Sequence, residues 1–365
     1  MNAWTATMIA GSAGLLLLLP VIGLPDVPTA LAADPAAKDE PVQRAVSPAP
    51  QEGERPWFLG SAQPFGLLVM PEMVKLPPPD KKLFLKITAG YQYDSNVILN
   101  AVGVPVPPAI GEKGDSRLVL NLVGNYIPLR TAKGEVMFNY SFFHSDHAEL
   151  DDFNLTQNMA ELAAKYAVTD RLALRYSAVY QHLLLGTELF DHAVMTGPSL
   201  NITSGKRHTT VLDLRYRDTQ YSNVAIFTRN ADRTGANYSA ALTHGVALSP
   251  ATLVRAGYAY DVDNTRTPLW DGEGHRINVE GNFRVLHDTL FNIYGEYYRK
   301  DYDGVYASIG ARREDRAWSG VVTLTTYFSE RYGVSLRSLS SRNRSNVPAF
   351  DVSRLIYGVL FDARF

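Results

Sequence analysis

The 365-residue chain contains no cysteine. This absence excludes disulfide bonds, thiol catalysis, thiolate metal sites and the lipidated cysteine of a lipoprotein. A basic excess is also missing, because 35 Lys and Arg residues stand against 37 Asp and Glu residues. Proteins that bind nucleic acid normally carry a surplus of positive charge. We therefore expect no nucleic-acid partner.

Long apolar runs are scarce. The run "GLLLLLPVIGLP" at 14–25 is too short for a helix that crosses a bilayer. It precedes Ala30-Leu31-Ala32, a small-x-small cleavage pattern, although residues 1–13 contain neither Lys nor Arg. We predict a short signal helix within a signal peptide at 1–33, cleaved near Ala32 or Ala33. An uncleaved N-terminal anchor is the alternative.

Proline and charge dominate the region that follows, residues 34–81. Such a composition buries too little apolar surface to fold by itself, which predicts a disordered or extended periplasmic leader. Residues 57–80 are more apolar but are interrupted by Pro. This stretch is a candidate plug segment, and a loosely ordered leader is the alternative.

From Lys82 onward, apolar and polar residues alternate with a period of two. This period indicates β-strands with one apolar face. Two strands are weakly marked, because 153–166 is rich in helix formers and 193–203 contains Gly197-Pro198. The fourteen candidate strands are 82–95, 115–127, 134–145, 153–166, 170–183, 193–203, 207–219, 234–246, 251–262, 274–286, 288–300, 314–328, 330–341 and 352–365.

The connections between these strands alternate in length. Those after odd-numbered strands are long and polar, and those after even-numbered strands are short. This sorting is typical of bacterial outer-membrane barrels, whose loops are long outside and short in the periplasm. Lipid cannot hydrogen-bond a free sheet edge, so the sheet must close. The sequence therefore predicts an all-β, 14-stranded antiparallel transmembrane β-barrel of outer-membrane type over 82–365.

Strand parity assigns more cations than acids to the lumen. The predicted lumen-lining residues, with a role in binding or selectivity, are Lys86, Arg175, Arg215, Arg255, Arg276, Glu280, Arg284, Glu296, Arg337, Arg354 and Arg364. The same parity adds Arg117, Lys165, Arg217, Arg331, Asp94, Glu135, Glu161, Asp213, Asp261 and Asp362. Inward guanidinium groups raise the local concentration of anions, which favours a mildly anion-selective passage. Alternatively, the charges pair between strands and brace the wall.

The segment "HSDH" at 144–147 has residue types that occur in metal and nucleophile sites. No third ligand or oriented base accompanies it, and it lies where the third strand ends. We interpret it as a polar strand end. The sequence thus predicts no catalytic site, no metal site and no cofactor.

The C-terminal "YGVLFDARF" places Tyr357, Phe361 and Phe365 at alternate positions. It resembles the C-terminal signal by which the barrel-assembly machinery recognises outer-membrane proteins. The resemblance implies the bacterial outer membrane as location. It also implies that machinery, outer-membrane lipid and lipopolysaccharide as partners.

The segment "AGYQYDSNVIL" carries Gly90, Tyr91, Tyr93, Asp94 and Asn96. It is similar to the first barrel strand of the surface lipoprotein assembly modifier family. The resemblance implies a C-terminal barrel of fourteen strands over roughly 82–365 and export partners. The tetratricopeptide repeats that precede the barrel in that family have no counterpart in 34–81, which is too short and too rich in Pro.

The leading hypothesis for function is a narrow, polar, Arg-lined passage for small solutes or for an exported polymer or protein. Barrels of this size lie between the small filled type and the open porins. A structural or surface-binding barrel with a filled lumen is the alternative. An accessory role in surface lipoprotein or polysaccharide export is a third hypothesis.

Overall fold

The computed structural model describes residues 82–106, 111, 113–205 and 207–365. Within these residues, fourteen strands form one closed antiparallel barrel in which β1 pairs with β14. The predicted fold class is therefore confirmed. The predicted signal peptide at 1–33 and the leader at 34–81, with its candidate plug segment, lie outside the described residues.

Each predicted strand corresponds to one observed strand. The bounds are β1 Leu83–Asp94, β2 Asp115–Arg130, β3 Gly134–His147, β4 Leu155–Ala167, β5 Leu172–Leu185, β6 Glu188–Ser204, β7 His208–Tyr221, β8 Gly235–Ser249, β9 Thr252–Thr265, β10 Gly272–Leu286, β11 Thr289–Tyr306, β12 Ala311–Tyr327, β13 Tyr332–Ser345 and β14 Val352–Arg364. Short 3₁₀ turns at Asp151–Phe153, Asn230–Arg233 and Pro348–Phe350 lie in three of the connections.

The barrel is closed by the seam between β1 and β14. Their pairing runs from Lys86 opposite Arg364 to Asp94 opposite Ile356. The backbone of Phe365 continues this ladder, because it both donates to and accepts from Leu85, at 2.9 and 3.2 Å. Closure gives the backbone N–H and C=O groups of the two outermost strands hydrogen-bond partners, which a sheet edge would lack.

The two weakly marked strands are both present. β4 pairs with β3 and β5 along its length, because its neighbours override the helix propensity of its Ala, Glu and Leu residues. β6 runs through Pro198, which lies opposite Tyr176 of β5. On the β7 side the pairing lapses at Gly197 and Pro198 and resumes at Ser199, since Pro has no N–H to donate.

We call the end of the barrel that carries the connections after odd-numbered strands the loop end, and the opposite end the turn end. The prediction of long connections at the loop end is wrong for two hairpins. β5 ends at Leu185 and β6 begins at Glu188, while β11 extends to Tyr306 and β12 begins at Ala311. The polar residues in these hairpins mark only where the apolar band on the outer face of the barrel ends. The backbone hydrogen bonds between the strands continue beyond that point.

The two faces of the wall have opposite polarity. Large apolar side chains on the outward parity are exposed, whereas the inward parity carries most of the buried charge. Examples of the exposed set are Tyr91, Leu118, Leu162, Tyr176, Leu242, Ile277, Leu336, Tyr357 and Val359. A protein in water would bury such a surface, whereas hydrocarbon solvates it. No helix among the described residues is long and apolar enough to cross a membrane.

Candidate functional site in the barrel lumen

Most of the predicted lumen-lining cations form ion pairs on the inner face. Five of six pairs join neighbouring strands, and the sixth, Arg215 with Asp213, lies within β7. The nitrogen–oxygen distances are 3.0 Å for Lys86–Asp362, 2.5 Å for Arg175–Glu161, 3.0 Å for Arg215–Asp213, 3.1 Å for Arg255–Glu280, 3.6 Å for Arg276–Glu296 and 2.9 Å for Arg354–Asp94. This pairing fits the bracing alternative.

The other predicted cations occupy different surroundings. Arg337 is half-buried on the inner face of β13, and the guanidinium of Arg364 lies 4.0 Å from the ring centre of Tyr327. Arg284 is exposed at the turn end of β10. The assignment of Arg331 to an inner strand face is wrong, because it lies exposed in the turn between β12 and β13. The predicted strand began at 330, two residues before the observed start of β13.

Asp94, from the family-like motif, is the centre of a buried charge cluster at the loop end. It is fully buried and accepts hydrogen bonds at 2.9 Å from Nε of Arg354. Nη1 of Arg117 lies 3.7 Å away, and the backbone N–H of Asn96 donates to Asp94 at 3.1 Å. Arg117 also donates to Gln92 at 2.9 Å. Asp94 therefore ties β2, β14 and the chain after β1 together.

Asn96, also from the motif, fixes the first loop, which we define as residues 95–106. Its Nδ2 donates to the carbonyl groups of Asn100 and Ser353, at 3.0 and 2.9 Å. Its Oδ1 accepts from the backbone N–H of Asn100 at 2.8 Å. Leu99 between them has a positive φ of 53°, a conformation that these hydrogen bonds support.

The remaining motif residues shape the wall. Gly90 faces β14 so closely that a Cβ atom would lie 2.8 Å from Cα of Leu360. Tyr91 and Tyr93 point outward, and the ring of Tyr93 lies 5.6 Å from that of Tyr357. The five motif residues therefore form the wall of the barrel and hold the first loop. A role of the motif in lipoprotein export remains a prediction.

The first loop folds into the barrel, whereas the sequence predicted a polar external loop. Val97 and Ile98 join a buried cluster with Phe190 and Phe227, and residues 96–101 are all buried. Leu99 joins a second cluster, which includes Trp270, Tyr298, Tyr302, Tyr306 and Phe350. The prediction is wrong because this segment is apolar and the motif turns it inward. Both clusters narrow the lumen at the loop end.

A buried cation stacks on the second cluster. The guanidinium of Arg313 lies 3.3 Å from the ring centre of Phe350 and 4.3 Å from that of Tyr302, and it pairs with Asp315. Such stacking stabilises a cation in a desolvated place. The sequence prediction missed Arg313 because it began this strand at 314, one residue too late to include it.

A small polar chamber lies beside these clusters in the loop-end half of the lumen. Its volume is about 40 Å³. Its charged lining residues are Arg217, Arg233, Arg276, Lys300, Asp261 and Asp263, and Tyr221 and Trp270 add aromatic surface. Four cations thus face two carboxylates. The alternation of residues along the strands predicted that Arg217, Arg276 and Asp261 face inward. Arg233 and Trp270 lie in connections between strands, where residues do not alternate, so the sequence pattern did not predict them.

Arg233 enters the chamber from the β7–β8 connection, residues 222–234. Its guanidinium lies 4.0 Å from the ring centre of Tyr221, and Nη1 donates to Asn230 at 2.7 Å. Asn230 in turn donates to the carbonyl groups of Phe190 and Ser222. Burial lowers the pKa of Arg233 below its ordinary value, and the nearby Tyr221 and Asp191 partly offset this effect.

The segment 144–147 does not assemble a site. His144 faces outward and contacts Thr156 at 2.9 Å, whereas His147 faces the lumen and contacts Asn154. Asp146 accepts from Asn154 at 2.8 Å. These contacts hold the connection between β3 and β4. Within the described ranges, no three His, Asp or Glu residues group as metal ligands would.

The predicted assembly-signal residues lie on the outer face of β14 and at its end. Tyr357, Phe361 and Phe365 are exposed. The ring of Phe361 lies 5.9 Å from that of Tyr332 and 6.2 Å from that of Phe328. These rings form an aromatic patch near the turn end. Recognition by the barrel-assembly machinery remains a prediction.

Comparisons with known proteins add little to this description. No family model matches the chain, and no curated protein matches it either. Among solved structures, the barrel is similar to OccAB3 of Acinetobacter baumannii, with a TM-score of 0.44 and 9% identity over 79% of this chain and 100% of that chain. A loop L8 deletion mutant of the outer membrane protein OmpT of Vibrio cholerae gives a TM-score of 0.46 and 10% identity, covering 78% of this chain and 100% of that chain.

Pseudomonas aeruginosa OprD gives a TM-score of 0.41 and 8% identity, covering 78% of this chain and 95% of that chain. Likenesses of this size are too low to carry an argument about function.

Proposed function

We propose that this chain is an outer-membrane barrel that carries small solutes through a narrow, polar lumen and favours anions. One observation carries the proposal. The wall is closed, its outer face is apolar and aromatic, and its inner face holds the buried charges. Lipid-spanning barrels have this polarity, whereas soluble barrels have the reverse.

The outer-membrane location is supported by the same wall. Exposed Tyr and Phe side chains, such as Tyr91, Tyr357 and Phe361, suit the boundary between lipid and water. Lipid and lipopolysaccharide are the partners that this surface would contact. The predicted signal peptide at 1–33 supports export.

Anion preference is supported by the balance of charge inside the lumen. Most inner-face cations are paired, including Arg276 with Glu296 and Lys300 with Asp263. Among the described residues, Arg217 and Arg233 of the chamber form no ion pair, which leaves an excess of positive charge there. Fixed positive charge in a narrow passage raises the local anion concentration, because low-dielectric walls focus the field.

Planar-bilayer recording of the purified full chain in a KCl gradient tests the proposal. We expect unit currents with a reversal potential displaced towards that of chloride. The urea-unfolded protein is the control for leakage by detergent or aggregates. A cation-selective current would contradict anion preference. The absence of unit currents, in both the full chain and a variant lacking residues 34–81, would contradict passage.

A barrel with a filled lumen, acting as a structural or surface-binding protein, is a second candidate. It is favoured by the two buried apolar clusters at the loop end, which include residues of the first loop. Proteoliposome swelling separates the two functions, because a solute passage admits a small sugar or amino acid and a filled barrel does not.

The likeness of residues 90–97 to surface lipoprotein assembly modifiers supports a role in export only through those few residues. Deleting the gene tests this role. An export accessory would leave a surface lipoprotein or polysaccharide inside the cell, whereas a solute passage would leave the display of both unchanged.

A further inference from the structure

The chamber in the loop-end half of the lumen contains a charged edge that the protein leaves unused. Arg217 is only 4% exposed, and its Nε and Nη2 have no hydrogen-bond partner among the described residues. These two nitrogens form one edge of the guanidinium group. That edge is the fork that binds a carboxylate or phosphate through two parallel hydrogen bonds.

Arg175 shows the contrast. It lies on the inner face of β5 and is also buried, but its Nη2 donates to Glu161 at 2.5 Å. Among the described residues, the protein thus supplies a carboxylate for Arg175 and none at bonding distance for Arg217. The nearby Asp191 accepts from Gln181 at 2.8 Å and forms no ion pair with Arg217 in the described structure.

A second donor faces the same chamber. Arg233 uses Nη1 for Asn230, while its Nη2 has no hydrogen-bond partner in the described part of the chain. The ring of Tyr221 and the hydrogen bonds of Asn230 fix its position. The donor is therefore preorganised, so a ligand would lose little free energy in ordering it.

Each acid of the chamber already has a partner, although Oδ1 of Asp261 accepts no hydrogen bond from the described residues. Asp263 pairs with Lys300 and accepts from Asn237 at 2.8 Å, while Asp261 accepts from Tyr298 at 3.1 Å. The positive charge of Arg217 and Arg233 is therefore not balanced by these carboxylates. The nearby Asp191 lies within electrostatic range of both cations but forms no ion pair with either among the described residues. An anion at this place would therefore add to the compensation of two buried cations, whose burial carries a desolvation cost.

The size of the chamber limits the ligand. A volume of about 40 Å³ holds about three water-sized spheres, which is the scale of one carboxylate or phosphate group. We propose that the chamber is a binding site for a small oxyanion, a carboxylate or a phosphate, held by the free edge of Arg217 and by Arg233. The proposal rests on the proposed function, because a solute in the lumen would meet this site.

Isothermal titration calorimetry on the folded full chain in detergent tests the site, with inorganic phosphate and acetate as separate probes. We expect saturable binding of at least one probe, and the tighter probe identifies the preferred headgroup. Arg217→Gln should weaken it by about tenfold or more, because two charge-assisted hydrogen bonds are lost. Arg171→Gln is the matched control, since it removes an exposed cation in the turn between β4 and β5 at the opposite end of the barrel, and binding should not change.

Arg217→Lys keeps the charge and removes the fork, and it serves also if Arg217→Gln fails to fold. We expect it to weaken binding, whereas binding equal to the wild type would overturn the role of the fork. The absence of saturable binding by the wild type, with both probes, would overturn the site and leave only water in the chamber. Binding without bilayer current would overturn solute passage alone, and current without binding would overturn the site alone.

Discussion

The seam between β1 and β14 ends in a buried aspartate at each end of the barrel, and the two have different partners. Asp94 at the loop end faces two guanidinium groups, of Arg354 and Arg117. Asp362 at the turn end accepts from Thr88 at 2.6 Å and Ser335 at 2.9 Å, and it pairs with Lys86 at 3.0 Å. The carboxylate at the loop end is thus stabilised mainly by two cations, whereas the carboxylate at the turn end is stabilised by two hydroxyl groups and one cation.

The difference extends beyond the seam. At the loop end, Asp94 and Asn96 hold the first loop inside the barrel, where it joins two apolar clusters. At the turn end, Asp362 is held by the hydroxyl groups of Thr88 and Ser335 and by the partly exposed Lys86. Among the described residues, the loop end therefore carries the apolar clusters that narrow the lumen, whereas the contacts of Asp362 at the turn end close the wall.

Among the substitutions in the seam, replacing Asp94 should lower the free energy of unfolding most. Asp94→Asn removes a buried charge and leaves Arg354 and Arg117 without compensation, which we expect to lower the free energy of unfolding by about 3–5 kcal/mol. Urea unfolding in lipid vesicles measures the change. The control is Asp288→Asn in an exposed turn, which should stay close to the wild type. Equal effects of both changes would contradict the central role of Asp94.

Replacing Gly90, in the middle of the seam, should lower the free energy of unfolding by an intermediate amount. In Gly90→Ala, the new Cβ would overlap Leu360 and the backbone of β14, so we expect a loss of about 1–3 kcal/mol in the free energy of unfolding. Gly295→Ala is the matched control, because a Cβ at that strand position meets nothing within 4 Å. Unfolding curves that coincide for the two variants would show that the seam is not tightly packed.

Replacing Asp362 should have the smallest effect. In Asp362→Asn, the amide oxygen can still accept from Thr88 and Ser335, and the partly exposed Lys86 can turn towards water. We expect a loss of about 1–2 kcal/mol in the free energy of unfolding. The same urea assay measures it. A loss as large as that of Asp94→Asn would erase the difference between the two ends.

Much of the fold could be predicted from the sequence. A strand between lipid and a polar lumen must alternate apolar and polar residues, and this alternation is visible along the chain. Parity placed Asp94, Arg217 and Arg354 on the inner face, where the structure has them. The first loop could not be predicted by this argument, because its direction depends on the side chain of Asn96. Arg233 likewise could not be predicted, because it enters the chamber from a connection in which apolar and polar residues do not alternate.

The conductance of first-loop variants in planar bilayers tests most directly whether this loop restricts the passage. The triple variant Val97→Ser, Ile98→Ser and Leu99→Ser removes the buried apolar contacts of the loop, while Val102→Ser with Val104→Ser changes exposed positions of the same loop. We predict a larger unit conductance for the triple variant and wild-type conductance for the control. Wild-type conductance in a folded triple variant would contradict the account.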